Sequence, residues 1–321
     1  MTDFATDPAY GLAASRSDGK LDRQASRVGD FIALLKPRVM SLVVFTGAVG
    51  LVLAPGHLHP VLALIAVFCI AVSAGGAGAI NMWYDRDIDQ VMRRTAGRPI
   101  PAGRIDPSEA LAFGAILTGG SVVIMGLALN WVAAALLAAA TGFYVFVYTV
   151  WLKRRTPQNI VIGGASGAFP PMIGWAAVTG GIDAGSLALF ALIFFWTPPH
   201  FWAMSLYASE DYRRANVPML PIVSGITVTK RQILLYTVGM IPVSLLPYVA
   251  GVGGVFYATV AVVLTLIFIG YALAVYRAED QDHGPARRMF RYSLLYLFLL
   301  FTVLAVDHGL AWFALRLGQG G

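Results

Sequence analysis

The sequence predicts an all-α polytopic membrane protein, a bundle of nine transmembrane helices, and three observations carry that expectation. Of the 321 residues, 58% are hydrophobic and only 12% are charged, a balance far from that of soluble domains. Apolar stretches recur at 38–55, 60–81, 108–128, 131–150, 158–178, 186–208, 232–250, 252–276 and 290–308, each near the ~20 residues a helix needs to cross the hydrocarbon core. A helix satisfies its own backbone in lipid, so such stretches imply a bundle. Finally, 22 of the 23 lysines and arginines fall up to Arg38 or in the loops after the second, fourth, sixth and eighth spans, and only Arg316 falls on the other side. That alternation requires the span count to be right, because one missed helix would scramble it. The positive-inside rule then places the N-terminus in the cytoplasm and the C-terminus on the outer side.

Taken in order, residues 1–30 are polar and mixed in charge, with no apolar core of a signal peptide. Asp3, Asp7, Asp18 and Asp22 argue against a transit peptide, which is poor in acids. This stretch is expected to be a disordered cytoplasmic tail. Residues 31–308 form the nine-helix domain, and 309–321 a short tail on the outer side. Cys69, the one cysteine, lies within an apolar run, which excludes a disulfide framework and a cysteine metal site. The net charge of +6 is spent on membrane orientation, so nucleic acid is not an expected partner and the lipid bilayer is. Gly163, Gly164, Ser166, Gly167 and Ala168 suit close helix packing in the fifth span, and Pro170 and Pro171 are expected to kink it. The outer loops are short. The cytoplasmic loops after spans two and six are long and polar, which is where function tends to lie.

Three constellations there carry chemistry. Asn81, Asp85 and Asp89 stand at i, i+4 and i+8 and share one helix face at the end of the second span, followed by Arg86, Arg93, Arg94 and Arg98. Carboxylates are costly at a membrane rim and need a partner or a task. Oxygens beside arginines suit a hard cation held against phosphate. Asp87 lies off that face. The second set, in HFWAMSLYASEDYRRANVPMLP, puts His200, Tyr207 and Asp211 on one face with Glu210 and Arg214 beside them. Two opposed acidic helix ends would make a Mg²⁺ site with room for phosphate oxygens. The third set gathers Tyr148, Lys153, Arg154 and Asn159 around a helix–loop–helix turn, with Lys153 and Arg154 suited to an anionic phosphate. Read blandly, each set is a salt-bridged helix end or a positive-inside anchor. Their recurrence on one side weighs against coincidence.

NMWYDRDID…RT..RP.P.G, YT..LKR.TP.NIVIGG..GA.PP..GW and HFWA…DY..A.VPMLP, in that order over residues 31–308, resemble the intramembrane prenyltransferases of the UbiA type, and specifically their haem-farnesylating branch. The resemblance implies the nine-helix fold of that family and a Mg²⁺-dependent cytoplasmic site in a bacterial inner membrane. It further implies that farnesyl diphosphate and haem B are substrates, the farnesyl group joining a haem vinyl with addition of water. Contact with haem A synthase or oxidase assembly factors follows from the same likeness. Carried over, Asp85, Asp89 and Asp211 are catalytic; Asn81, Asp85, Asp89 and Asp211 hold Mg²⁺; and Asn81, Lys153, Arg154 and Asn159 bind the diphosphate. Tyr148, His200, Tyr207, Glu210 and Arg98 are further candidates. Many relatives carry DxxxD in the second motif, whereas here Tyr207 occupies its first place, so that either Glu210 substitutes or a second cation is held more weakly. The rival expectations are a relative that prenylates a quinone or chlorophyll precursor and, from another class, an acid-coupled secondary transporter. A transporter would place its acids near mid-membrane and show repeated halves; here the acids lie at span ends.

Overall fold

The structure is a computed structural model describing residues 27–318, with side chains described to residue 310. The tail expected over 1–30 lies outside the described residues up to residue 26, as do 319–321 of the C-terminal tail. All regular elements among the described residues are helical. α1 (Arg27–Leu34) and α2 (Pro37–Leu53) meet at 49°, with Lys36 at the corner in the left-handed region, φ 50°. There follow α3 (Pro60–Tyr84), the short α4 (Arg86–Val91), α5 (Pro107–Ala128), and α6 (Trp131–Gly142), which runs on as a π-helical segment, Phe143–Leu152. Next come α7 (Asn159–Gly163), α8 (Ala165–Thr179), α9 (Ala184–Tyr207), α10 (Ser209–Arg214) and α11 (Leu220–Val223). α12 (Ile226–Ser244), α13 (Leu246–Val249), α14 (Val255–Arg277) and α15 (Gly284–Gly318) complete the chain. Eight spans of these helices are long and apolar enough to cross a membrane, and the bent α1–α2 pair makes a ninth, in agreement with the expected number.

Several boundaries differ from those expected. α12 starts at Ile226 and α15 at Gly284, so Lys230, Arg231, Arg287, Arg288 and Arg291 lie on helices and not in loops. Hydrophobicity marks only the lipid-facing part of a helix, whereas its hydrogen-bond ladder continues into the polar zone and carries long cationic side chains with it. α15 likewise continues past residue 308, through most of the stretch expected as a tail. Pro170 and Pro171 sit inside an unbroken α8, and the chain breaks at Gly164 just before it. Those prolines lack the amides that would bond the Ser166 and Gly167 carbonyls, yet the interruption falls nearly two turns upstream of the rings.

The membrane helices form a ring in which each packs on the next and α15 returns to α2, while α2 also lies along α8 and α9 along α15. Lipid supplies no hydrophobic drive between helices, so close backbone approach carries the association. At the α2–α8 contact a Cβ on Gly174 would stand 2.1 Å from the Gly47 carbonyl, and one on Gly50 would stand 2.2 Å from that of Pro171. Gly76 and Gly114 meet similarly between α3 and α5, at 2.8 and 2.7 Å. Gly163 and Gly164 serve the expected packing role, making room for Tyr148 and Thr197, whereas a Cβ on Gly167 would meet nothing within 4 Å. Gly174→Val should therefore push α2 from α8 and cost at least about 1–3 kcal/mol, seen as a lower midpoint of thermal unfolding in detergent. Gly167→Ala should leave that midpoint unchanged.

Candidate active site

α3 leaves the ring at Asp85, whose φ of −87° and ψ of 8° interrupt the helix. The i→i+4 ladder survives the break, because the Asp85 amide donates to the Asn81 carbonyl at 2.9 Å and the Asp89 amide to that of Asp85 at 2.8 Å. Asn81 and Asp85 therefore remain neighbours, with Asn81 Nδ2 donating to Asp85 Oδ2 at 2.7 Å. All three predicted residues are buried, Asp85 completely.

The π segment supplies the facing wall. Its wider turn lets Thr149 Oγ1 donate to the Tyr144 carbonyl, five residues back, at 2.9 Å, while accepting from Asn81 Nδ2 at 3.1 Å. The Lys153 amide likewise reaches back five residues to Tyr148 at 2.9 Å. This register delivers Lys153 Nζ onto Asp85 Oδ2. Arg154 grips Asp87 with both terminal nitrogens at 2.7 Å, donates to the Tyr84 carbonyl at 3.1 Å, lies 4.9 Å over the Tyr84 ring and stands 3.6 Å from Asp85 Oδ1. The guanidinium's hydrogen bonds hold the Asp87 carboxyl below the usual carboxylate range. Such local π turns concentrate at functional sites.

The loop after α4 closes the third side. Arg98 donates to Asp89 Oδ2 at 2.7 Å, and Thr95 Oγ1 donates to the Asp89 carbonyl at 3.0 Å. From the α1–α2 corner Lys36 Nζ donates to Asn81 Oδ1 at 2.9 Å. Two buried oxygens on this face have no hydrogen-bond partner, Asp85 Oδ1 and Asn159 Oδ1. Asn159 is otherwise held by its amide, which donates to the Thr156 carbonyl at 2.7 Å.

The second motif approaches from α9 and α10. Tyr212, Ala215, Val217 and Met219 share a buried cluster with Ile88 and Met92 of the first motif and Ile160 of α7. The two acidic segments thus abut, but they do not form the joint carboxylate cage expected from an opposed pair. Among the described residues no three His, Cys, Asp or Glu side chains gather closely enough to hold a metal. Charge repulsion keeps such carboxylates apart, and the sequence provides nearer partners: Lys153 and Arg98 for the first motif, and Arg214 at 3.9 Å from Asp211. Glu210 is exposed and pairs with Arg213 at 3.0 Å and Arg214 at 3.5 Å. Tyr148 stacks on Tyr144 at 5.6 Å, and the ring of Tyr207 lies under Arg287. His200 does not join the acidic face; it is buried against Trp196 and Phe290. It stays on one helix with Tyr207, both packing on Phe290, but α9 ends at Tyr207 and Asp211 lies on α10, so the expected alignment with Asp211 is lost.

Lys36, Thr149 and Thr95 escaped sequence reasoning. Lys36 had one usable signal, its place directly before Pro37 at the start of a span. Thr149 stands in the YT..LKR motif, but its face could not be read, since a π register breaks the spacing by which helix faces are assigned.

The UbiA prenyltransferase family profile matches residues 43–295. The chain is 59% identical over 287 residues to a protein of Acidiphilium cryptum (strain JF-5) named protoheme IX farnesyltransferase, covering 87% of this chain and 90% of that one. To the protein of that name in Brucella ovis it is 60% identical over 280 residues, with the same shares covered. Among solved structures, one concerning digeranylgeranylglyceryl phosphate synthase superposes with a TM-score of 0.72 at 18% identity, over 88% of this chain and 99% of that one. A UbiA homologue from Archaeoglobus fulgidus bound to GPP and Mg²⁺ superposes with 0.63 at 16% identity, over 86% and 99%. The chain is a multi-pass membrane protein and belongs to the UbiA prenyltransferase family. It is a prenyltransferase, and the relatives nearest 60% identity share one name, protoheme IX farnesyltransferase.

Asp85 is fully buried and Lys153 nearly so, so removing the lysine alone leaves a carboxylate without its main countercharge. Lys153→Ala should destabilise the protein by about 3 kcal/mol, measured by chemical unfolding in detergent, and adding Asp85→Asn should restore most of that loss. Asp87→Asn, at a pair open to solvent, should cost no more than about 1 kcal/mol.

Proposed function

We propose that the chain transfers the farnesyl group of farnesyl diphosphate to a vinyl group of haem B, with addition of water, giving haem O and diphosphate. One observation carries this reading: a buried Asn81–Asp85 pair set against Lys153 and Arg154, in a chain about 60% identical to proteins named protoheme IX farnesyltransferase. In this reading Asn81, Asp85 and Asp89 form one wall of the diphosphate site, Lys153, Arg154 and Asn159 the second, and Arg98 stands at the third, with Asp211 on the abutting segment. Arg154 is suited to a phosphate by its planar fork and Lys153 by its point charge. Negative charge builds on the leaving oxygens as the allylic bond breaks, and these fixed cations stabilise it where it develops. Tyr144 and Tyr148 offer ring faces beside the same wall, suited to the allylic cation left behind. Burial keeps out the water that would quench that cation.

A magnesium ion fits this face, because Asp85 Oδ1 is a hard oxygen donor left without a hydrogen-bond partner, as such a cation requires. Asn81, Asp85 and Asp89 would hold it. Bound there, it would neutralise the diphosphate and sharpen it as a leaving group. The one-sided lysines and arginines support an inner-membrane orientation with this face and the N-terminus in the cytoplasm.

Purified protein supplied with haem B, labelled farnesyl diphosphate and Mg²⁺ should form a farnesylated haem. Asp85→Asn and Asp89→Asn should each lower turnover by at least about 100-fold while keeping the folded yield. Near-normal turnover in both variants, or transfer to a quinone precursor in preference to haem, would defeat the proposal.

A further inference from the structure

His200 is a buried polar side chain that the diphosphate face leaves unused. It stands on α9 seven residues before Tyr207, about 10 Å deeper by the helical rise, and is 6% exposed. Its ring is clamped on both faces, by Trp196 at 4.3 Å between centroids and by Phe290 at 4.6 Å, with Phe201 edge-on at 5.1 Å. Trp196 is itself tied down, its Nε1 donating to the Ser293 carbonyl at 2.9 Å. The imidazole plane is thereby fixed.

The hydrogen bonds around Ser293 favour one tautomer. Nδ1 lies 2.6 Å from Ser293 Oγ. That hydroxyl has one proton, and it donates to the Phe290 carbonyl at 2.7 Å. With its proton so placed, Ser293 Oγ accepts from His200, an arrangement that puts the hydrogen on Nδ1 and the lone pair on Nε2. Among the described residues Nε2 has no hydrogen-bond partner. A clamped imidazole whose Nδ1–H is held by a fixed acceptor and whose Nε2 is free is how proteins orient a metal-ligating histidine.

Above it, α15 places Arg287 six residues before Ser293, about 9 Å toward the polar end. Its guanidinium lies 5.5 Å over the Tyr207 ring and makes no salt bridge among the described residues. A free ring nitrogen deep in an apolar bundle, beneath an uncommitted cation, suits a flat apolar metal macrocycle with carboxylates on one edge. We propose that His200 Nε2 is an axial ligand to the iron of haem B and that Arg287 receives a propionate. The inference rests on the haem-farnesylating function proposed above. It adds a means of holding the acceptor, since ligation at iron fixes the porphyrin without engaging the vinyl groups.

The test is to titrate purified full-length protein with haem B, record its optical and resonance Raman spectra, and assay farnesylation in the same preparation. Wild type should show a nitrogen-ligated iron. His200→Ala should lose that signature and bind haem at least about 10-fold more weakly, with added imidazole restoring the ligand. Ser293→Ala should keep the ligand but shift the ferrous iron–nitrogen stretching band, because the Nδ1 acceptor is gone. Arg287→Gln should weaken haem binding without altering the ligand signature. An unchanged spectrum and affinity in His200→Ala would overturn the proposal. Should that variant fail to fold, an unshifted band in Ser293→Ala would overturn it equally. Wild type that farnesylates haem but shows no nitrogen ligand would refute ligation and leave the function standing. Wild type that neither binds nor farnesylates haem would defeat both.

Discussion

A carboxylate with no solvent exposure, at the rim of an apolar bundle, is the constraint on which the rest of the site depends. Burying an unpaired charge costs far more than a fold of ordinary stability can absorb, so Asp85 must bring its countercharge with it. Lys153 is that charge, and it belongs to a different helix 68 residues away. Bringing it to Asp85 requires the π register of Phe143–Leu152, and that register in turn seats Thr149 against Asn81. The π segment requires space for Tyr148, which Gly163 provides by lacking a side chain: a Cβ there would stand 2.3 Å from the ring. Thus one buried acid links the break in α3, the turn of the π segment and the small-residue stretch before α8.

The same constraint explains how the face suits a polyanion. Lys36, Arg98, Lys153 and Arg154 surround Asp85, Asp87 and Asp89, each acid already matched by a cation. A face so nearly balanced gains little by taking up a diphosphate alone, since each phosphate oxygen must compete with a carboxylate for the same lysine or arginine. In the proposed reading, uptake together with a dication would resolve that competition, because the carboxylates would turn to the cation and leave the lysine and arginine side chains for the phosphates. The pairs seen here would in that reading be resting partners, exchanged when substrate binds.

The parts of this arrangement legible in the sequence were those imposed by the solvent. Lipid dictates span length, so the nine spans followed from the apolar runs. The Asn81–Asp85 contact was legible because the helical ladder survives the break between them. What escaped were departures from the regular helix. A π turn has no separate signature in a run such as FYVFVYTVWL, so Thr149 went unnoticed. The break at Ala208 could not be distinguished from continuing helix, so Asp211 was grouped with His200 and Tyr207, which share α9 and pack on Phe290, about ninety residues further along the chain than His200. Helix ends were drawn too short for a related reason, since hydropathy follows the lipid and not the hydrogen-bond ladder.

The most direct test of the central claim is the structure of the protein with Mg²⁺ and the unreactive thio-analogue of farnesyl diphosphate. The account predicts a magnesium ion on Asp85, with the diphosphate oxygens in hydrogen-bond reach of Lys153 and Arg154 and the direct Lys153–Asp85 contact loosened. A diphosphate bound away from this face, with Lys153 and Asp85 still paired to each other, would contradict it.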